Sequence, residues 1–151
     1  MASNWYQEGL RRILIRTAGA VDFIADDIQV SLHSSSYTPN KDHDFMSDVT
    51  GELSGTGYTG GYGGSGRKLL ANKAIGIDDT GDFAYVDADD PIWTGLNAGT
   101  PAWAVVSKKG ASDAASPVLL CVDVTDLATA GEDYKIQWAT PANGGIGKIA
   151  A

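Results

Sequence analysis

The sequence predicts a mainly β fold, an antiparallel β-sandwich of jelly-roll type with one N-terminal α-helix. Three observations predict it. Nineteen glycines and only 20% charged residues among 151 describe a turn-rich β protein rather than a helical bundle. Short apolar runs recur from Ile28 onward, most of them bounded by Gly, Pro, Asn or Asp. Helical spacing is confined to residues 4–18. A single domain over 1–151 is expected, because a chain of this length folds with roughly 70% of its unfolded surface buried.

The helix is read over 4–18. Tyr6, Leu10, Ile13, Leu14 and Thr17 recur at its period, and Asn4 with Gln7 three residues on approximates a capping box. Gly19 ends it, and Gln7, Glu8, Arg11, Arg12 and Arg16 take its polar side. The sandwich is read over 28–151. In Ile28-Gln29-Val30-Ser31-Leu32-His33 strict alternation turns Ile28, Val30 and Leu32 to a core, and Gln29, Ser31 and His33 away from it. Tyr37-Thr38-Pro39-Asn40 is a turn sequence, since proline fixes φ and asparagine bonds its own backbone. Asp42 to Ser47 has room for one helical turn. Gly55 to Gly66 has too little side chain to pack and loses much backbone entropy on ordering, so a loop is expected that stays mobile until something binds it. Further strands are read at Leu70–Ile77, Phe83–Asp87, Trp103–Ser107, Val118–Asp123, Tyr134–Trp138 and Ile146–Ile149.

Charge and cysteine content restrict the function. A net charge of −8 and a pI near 4.5 give a surface that repels a phosphate backbone, so no nucleic-acid partner is expected. Arg11 and Arg12 with Arg16 form a local basic patch suited to an acidic partner. Cys121, the single cysteine, lies in the apolar run Val118 to Val122 and reads as a small buried hydrophobe that leaves no intrachain disulfide. No run approaches the ~20 apolar residues of a membrane span, and Met1 to Asn4 has no basic segment leading into an apolar one. The expectation is a protein made in a cytoplasm, without a membrane partner, and kept there until it is assembled.

Motifs that carry chemistry fail on inspection. Gly55-Thr56-Gly57-Tyr58-Thr59-Gly60 spells G-x-G-x-x-G, but more glycines follow where a dinucleotide site needs a helix N-terminus. Gly61 to Lys68 approaches a P-loop, with Arg67 where the lysine belongs and Lys68 where the magnesium-binding hydroxyl belongs. Asp78, Asp79 and Asp82 with Asp87, Asp89 and Asp90 are candidate calcium ligands if their turns meet, although Asp and Gly serve tight turns equally and no EF-hand spacing is present. His33 and His43 give no zinc spacing and read as surface or turn residues. No nucleophile elbow or H-E-x-x-H occurs, so neither catalytic nor cofactor-binding residues are assigned and an enzyme is not expected. Trp103 and Trp138 fall in strands. Trp5, Arg12, Tyr58 and Tyr62 are the candidates for partner contact.

Five segments in order carry a resemblance: Ser35 to Asn40 (SSYTPN), His43 to Phe45, Asp48-Val49, Ser54 to Thr59 (SGTGYT) and Leu70 to Lys73 (LANK). It continues through Val86 to Asp90, Ile92-Trp93, Ala115 to Pro117, Val122-Asp123 and Ile136 to Trp138, and so covers nearly the whole chain. The sequence resembles a family of small virion proteins of tailed bacteriophages. Residues 62–68 depart from the family pattern, in which a short AGG run leads almost directly to LAN. The resemblance implies an architectural, non-enzymatic protein: a capsid decoration or cement protein on the virion exterior, homotrimeric and bound to the major capsid protein. A tail, baseplate or fibre component is one alternative. A carbohydrate-binding module using exposed tryptophans is the other.

Overall fold

Three apolar residues, Ile28, Val30 and Leu32, set the centre of the molecule. In the computed structural model, which describes residues 3–15 and 17–150, the chain runs β1 (Ser3–Trp5), α1 (Gln7–Leu14), β2 (Ile28–His33), β3 (Lys68–Leu69), β4 (Ala74–Asp78), β5 (Phe83–Asp87), β6 (Ile92–Leu96), β7 (Trp103–Lys108), β8 (Val118–Asp123), β9 (Glu132–Lys135) and β10 (Gly147–Ala150). The strands form a five-stranded sheet in the order β1-β8-β7-β2-β3, a three-stranded sheet β10-β5-β4 and a two-stranded sheet β6-β9. Among the described residues every ladder between these strands is antiparallel. The protein is thus mainly β and sandwich-like, with one α-helix near its N-terminus, as the sequence predicts.

The large sheet is covered on both faces. Val30 pairs with Val106 and Leu32 with Ala104. This face meets Leu120, Val122, Trp93, Leu96, Ile136, Trp138 and Ile146 in the main core. Each Val, Leu or Ile fully enclosed there contributes about 1.5–3 kcal/mol. Gln29, Ser31 and His33 do point the other way, as alternation requires, but they do not reach solvent: all three are buried, Ser31 and His33 completely. The segment between β2 and β3 folds back over that face, and Tyr37 and Met46 join Tyr6, Val105, Val118 and Cys121 in a second, smaller core. Strand β8, apolar at five successive positions, lies buried between the two cores. The reading of His33 as a surface histidine is therefore corrected.

The helix is shorter than its period suggests. Residues 3–5 are extended and pair with β8, Ser3 against Val122 and Trp5 against Leu120. Tyr6 occupies the N-cap without a side-chain cap bond, so the capping box of Asn4 and Gln7 does not form. The helix stops at Leu14, with Ile15 already extended, well before Gly19. Its placement explains both ends. Gly9 presses on β8, where a Cβ would stand 2.6 Å from the Val118 carbonyl oxygen and 2.7 Å from Leu119 Cα. Beyond that crossing, Val21 and Phe23 must drop into the main core, which a continued helix would forbid. Arg16, which the periodicity assigns to the helix, lies outside the described residues, as do Met1, Ala2 and Ala151.

The remaining strands follow the apolar runs with modest shifts. Phe83–Asp87 and Val118–Asp123 match their predicted bounds, whereas the run read at Leu70–Ile77 is a strand only from Ala74, with the two-residue β3 before it, and the one read at Tyr134–Trp138 forms earlier, at Glu132–Lys135, leaving Trp138 outside the strand. Strand β6 is not predicted by alternation, because Trp93, Thr94 and Gly95 interrupt it and its pairing with β9 contains a register shift between Trp93 and Leu96. The turn expected in 42–47 forms as a 3₁₀ turn at Met46–Asp48.

The helix crossing gives the first prediction. Gly9→Ala places a methyl group against backbone that cannot move aside, so the urea midpoint should fall by the equivalent of about 1–3 kcal/mol. An unchanged midpoint would show that α1 is free to lift from β8.

Candidate functional site

The glycine-rich segment is ordered, and a buried arginine orders it. Arg67, immediately before β3, directs its guanidinium between two carboxylates that arrive from elsewhere in the chain. Nε donates to Glu52 Oε1 at 2.9 Å and Nη2 to Glu52 Oε2 at 2.7 Å, a parallel fork. Nη1 donates to Asp113 Oδ1 at 2.6 Å, and Nη2 also to Oδ2 at 3.2 Å. Only 6% of the Arg67 side chain is exposed, against 14% for Glu52 and 31% for Asp113. Burial by itself would lower the pKa of the guanidinium, but the hydrogen bonds and charges of Glu52 and Asp113 outweigh it and raise the value above the usual one. The residue that spoils the P-loop pattern is a clamp.

Tyr58 fixes the loop from inside. Its ring is 1% exposed, lies 6.4 Å from Trp93 between centroids, and belongs to the main core. Its hydroxyl donates to Glu52 Oε1 at 3.0 Å and accepts the Leu32 N–H at 2.9 Å. Trp93 Nε1 donates to the Gly66 carbonyl at 2.6 Å, and Gly66 must be glycine because a Cβ there would enter the Tyr58 ring. Two expectations are corrected here. The loop is not a mobile appendage, since it brings a large apolar side chain into the core, and Tyr58 is unavailable to a partner for the same reason.

Of the other partner candidates, Arg12 is also largely committed. Its side chain is 14% exposed, Nη1 donates to the Gly19 carbonyl at 2.9 Å, and the guanidinium lies 5.2 Å from the Phe45 ring centroid. Nε stands 3.0 Å from Glu8 Oε1 without hydrogen-bond alignment. Trp5 is half-buried and donates from Nε1 to the Lys148 carbonyl at 3.0 Å. Tyr62 remains 46% exposed, with its hydroxyl on the Gly110 carbonyl at 3.0 Å.

The acidic turns do not converge. Asp89 Oδ2 accepts from Asn72 Nδ2 at 2.6 Å, while Asp90 accepts the Trp138 N–H at 2.9 Å and pairs with Lys135 at 2.9 Å. Burial, with Asp90 and Asp89 nearby, raises the Asp87 carboxyl above its ordinary range. Among the described residues no group of three or more His, Cys, Asp or Glu side chains is placed to hold a metal ion.

Serine and histidine do meet at hydrogen-bond distance, Ser31 Oγ to His33 Nε2 at 2.8 Å. This pair is sealed at zero exposure on both residues, and no substrate atom reaches it. His33 Nδ1 lies 2.8 Å from the Thr50 carbonyl, which can only accept, so Nδ1 carries the proton and Nε2 accepts from Ser31. Burial holds this imidazole neutral and lowers its pKa. In the second core, Tyr6 and Tyr37 join hydroxyls at 2.7 Å and Tyr37 reaches His43 Nδ1 at 3.0 Å. Cys121 lies beside them, its thiol pushed up to about 12 by burial.

What remains open is apolar. On one face of the β10-β5-β4 sheet stand Ile75, Ile77, Ala84, Val86 and Ile149, of which Ile77 is 71%, Ile75 55% and Ile149 39% exposed. Trp5 and Ile13 wall one end of it. The signal for this surface was present in Ile75-Gly76-Ile77, but alternation names a face without saying whether anything covers it. Comparison with protein-family models, with curated proteins and with solved structures yields no match.

Two outcomes follow from the buried polar groups. Arg67→Ala strands Glu52 and part of Asp113 without a cation and should cost about 3–5 kcal/mol of unfolding free energy in urea titration. The second concerns pH. His33 has a folded pKa below its unfolded value of about 6.5, so the unfolded chain binds the extra proton. Its contribution is complete above about pH 6.5 and is lost as pH falls from there toward the folded value, at no more than about 1.4 kcal/mol per pH unit. Thermal melts should show that decline in the native protein and a flatter profile over the same range in His33→Gln.

Proposed function

We propose that the chain is a non-enzymatic structural protein of a tailed-phage virion, and specifically a decoration protein that binds the outside of an assembled capsid and reinforces it. The observation that carries this reading is the isoleucine face of the β10-β5-β4 sheet. Ile75, Ile77 and Ile149 lie uncovered together on this one face, whereas the other exposed large apolar strand residues, Leu69 and Ile92, stand singly on β3 and β6, and a gathered apolar patch is what a component of a larger assembly presents. The polar clusters support it from the other side, because the donors and acceptors of Arg67, Tyr58, His33 and Ser31 are spent on one another and on the backbone. The proposed partner is the major capsid protein. The homotrimer implied by the family resemblance lets three weak contacts act together through effective concentration. A net charge of −8 favours a protein surface over nucleic acid.

The carbohydrate-binding alternative needs tryptophans presented to solvent. Trp93 and Trp138 are buried, and Trp5 and Trp103 are half-buried, so no open aromatic platform supports it. A tail, baseplate or fibre position uses the same surface and differs in copy number. Quantitative mass spectrometry of purified virions should give a molar ratio to the major capsid protein near unity or a simple fraction. A few copies per particle would place the chain at a tail or vertex, and absence from particles would overturn the structural reading.

A further inference from the structure

We propose that β4 is a self-association edge, along which a second copy of this chain docks antiparallel about a two-fold axis at Gly76. The strand lies at the open edge of its sheet, paired on one side with β5. Among the described residues, no backbone group of Ala74 to Ile77 hydrogen-bonds outside that ladder. Folded proteins shield such edges by shortness, charge or cover. The other edges have that shielding: β3 has two residues and β1 three, β9 carries Glu132, Asp133 and Lys135, the Lys148 carbonyl of β10 accepts Trp5 Nε1, and β6 is bordered by the glycine-rich segment, where Thr56 bridges Asn97 and Gly57 lies against the Thr94 and Gly95 carbonyls. Strand β4 has five residues, two of them exposed isoleucines, and its one charge, Asp78, stands at its end rather than along it.

The occupant follows from the sequence of the edge. Lys73-Ala74-Ile75-Gly76-Ile77-Asp78-Asp79 places a cation at one end, anions at the other and isoleucines symmetrically about the middle. Antiparallel pairing of two copies sets each Ile75 beside the other copy's Ile77 and each Lys73, whose ammonium donates to the Asp26 carbonyl of its own chain, beside the other copy's Asp79. The segment is thus charge-complementary to itself in this direction, whereas parallel pairing would bring like charges together. Two three-stranded sheets would join into one of six strands with their isoleucine faces continuous, an isologous contact. The contact is two-fold and cannot generate a trimer. It either makes a dimer or joins trimers in pairs. It is measured on free protein and stands apart from virion occupancy.

Sedimentation equilibrium on the purified full chain tests it. The expected mass is an even multiple of the chain, with dimer affinity at least about tenfold weaker in Asp79→Lys, where like charges meet, and weaker still in Ile77→Glu. Both positions are exposed, so circular dichroism should show an unchanged fold. The charge swap Lys73→Glu with Asp79→Lys should restore association. A mass of one or three chains, or an even mass indifferent to both Asp79→Lys and Ile77→Glu, would overturn the proposal.

Discussion

The Arg67 clamp is the constraint on which the arrangement of the long segments depends. Glu52 arrives from the chain beyond β2, Asp113 from the turn between β7 and β8, and Arg67 from the end of the glycine-rich loop. One guanidinium joins three segments that share no strand ladder. Such a group contributes little net stability when complete, because desolvation consumes most of the Coulomb gain, but it penalises every arrangement in which one partner is missing. Its effect is to make a single loop conformation acceptable, and twelve residues with almost no side chains are fixed without a sheet of their own. Tyr58 then occupies a defined site between Leu32, Glu52 and Trp93.

Much of the fold was legible because alternation is a local property. Strands β2, β5 and β8 stand where Ile28 to His33, Phe83 to Asp87 and Val118 to Asp123 place them. The failures share one cause, which is tertiary contact overriding a local pattern. Residues 4–18 carry a helical period, yet residues 3–5 pair with β8 and Val21 and Phe23 are drawn into the core, leaving eight residues for the helix. His33 was correctly assigned to the far face of β2, but no local signal announces that residues from the following segment cover that face.

The candidate site was legible in its residues and not in their roles. Arg67 and Tyr58 drew notice as a defective phosphate motif and a loop aromatic, and both proved to be interior groups whose partners lie 15 and 26 positions away. Pairing across such distances is invisible to spacing rules. The isoleucines of β4 were the reverse case: their alternation was plain, while their exposure depends on what the rest of the chain leaves uncovered.

The sealed thiol has a consequence for durability. Disulfide exchange proceeds through the thiolate, and a group with pKa near 12 in a closed core presents almost none of it at neutral pH. An exposed cysteine in an oxidising medium would be prone to covalent exchange with any thiol or disulfide it met. With Cys121 buried beside Tyr6 in the closed second core, the thiol is withheld from air and from other molecules alike, and ageing leaves no cross-link at this residue.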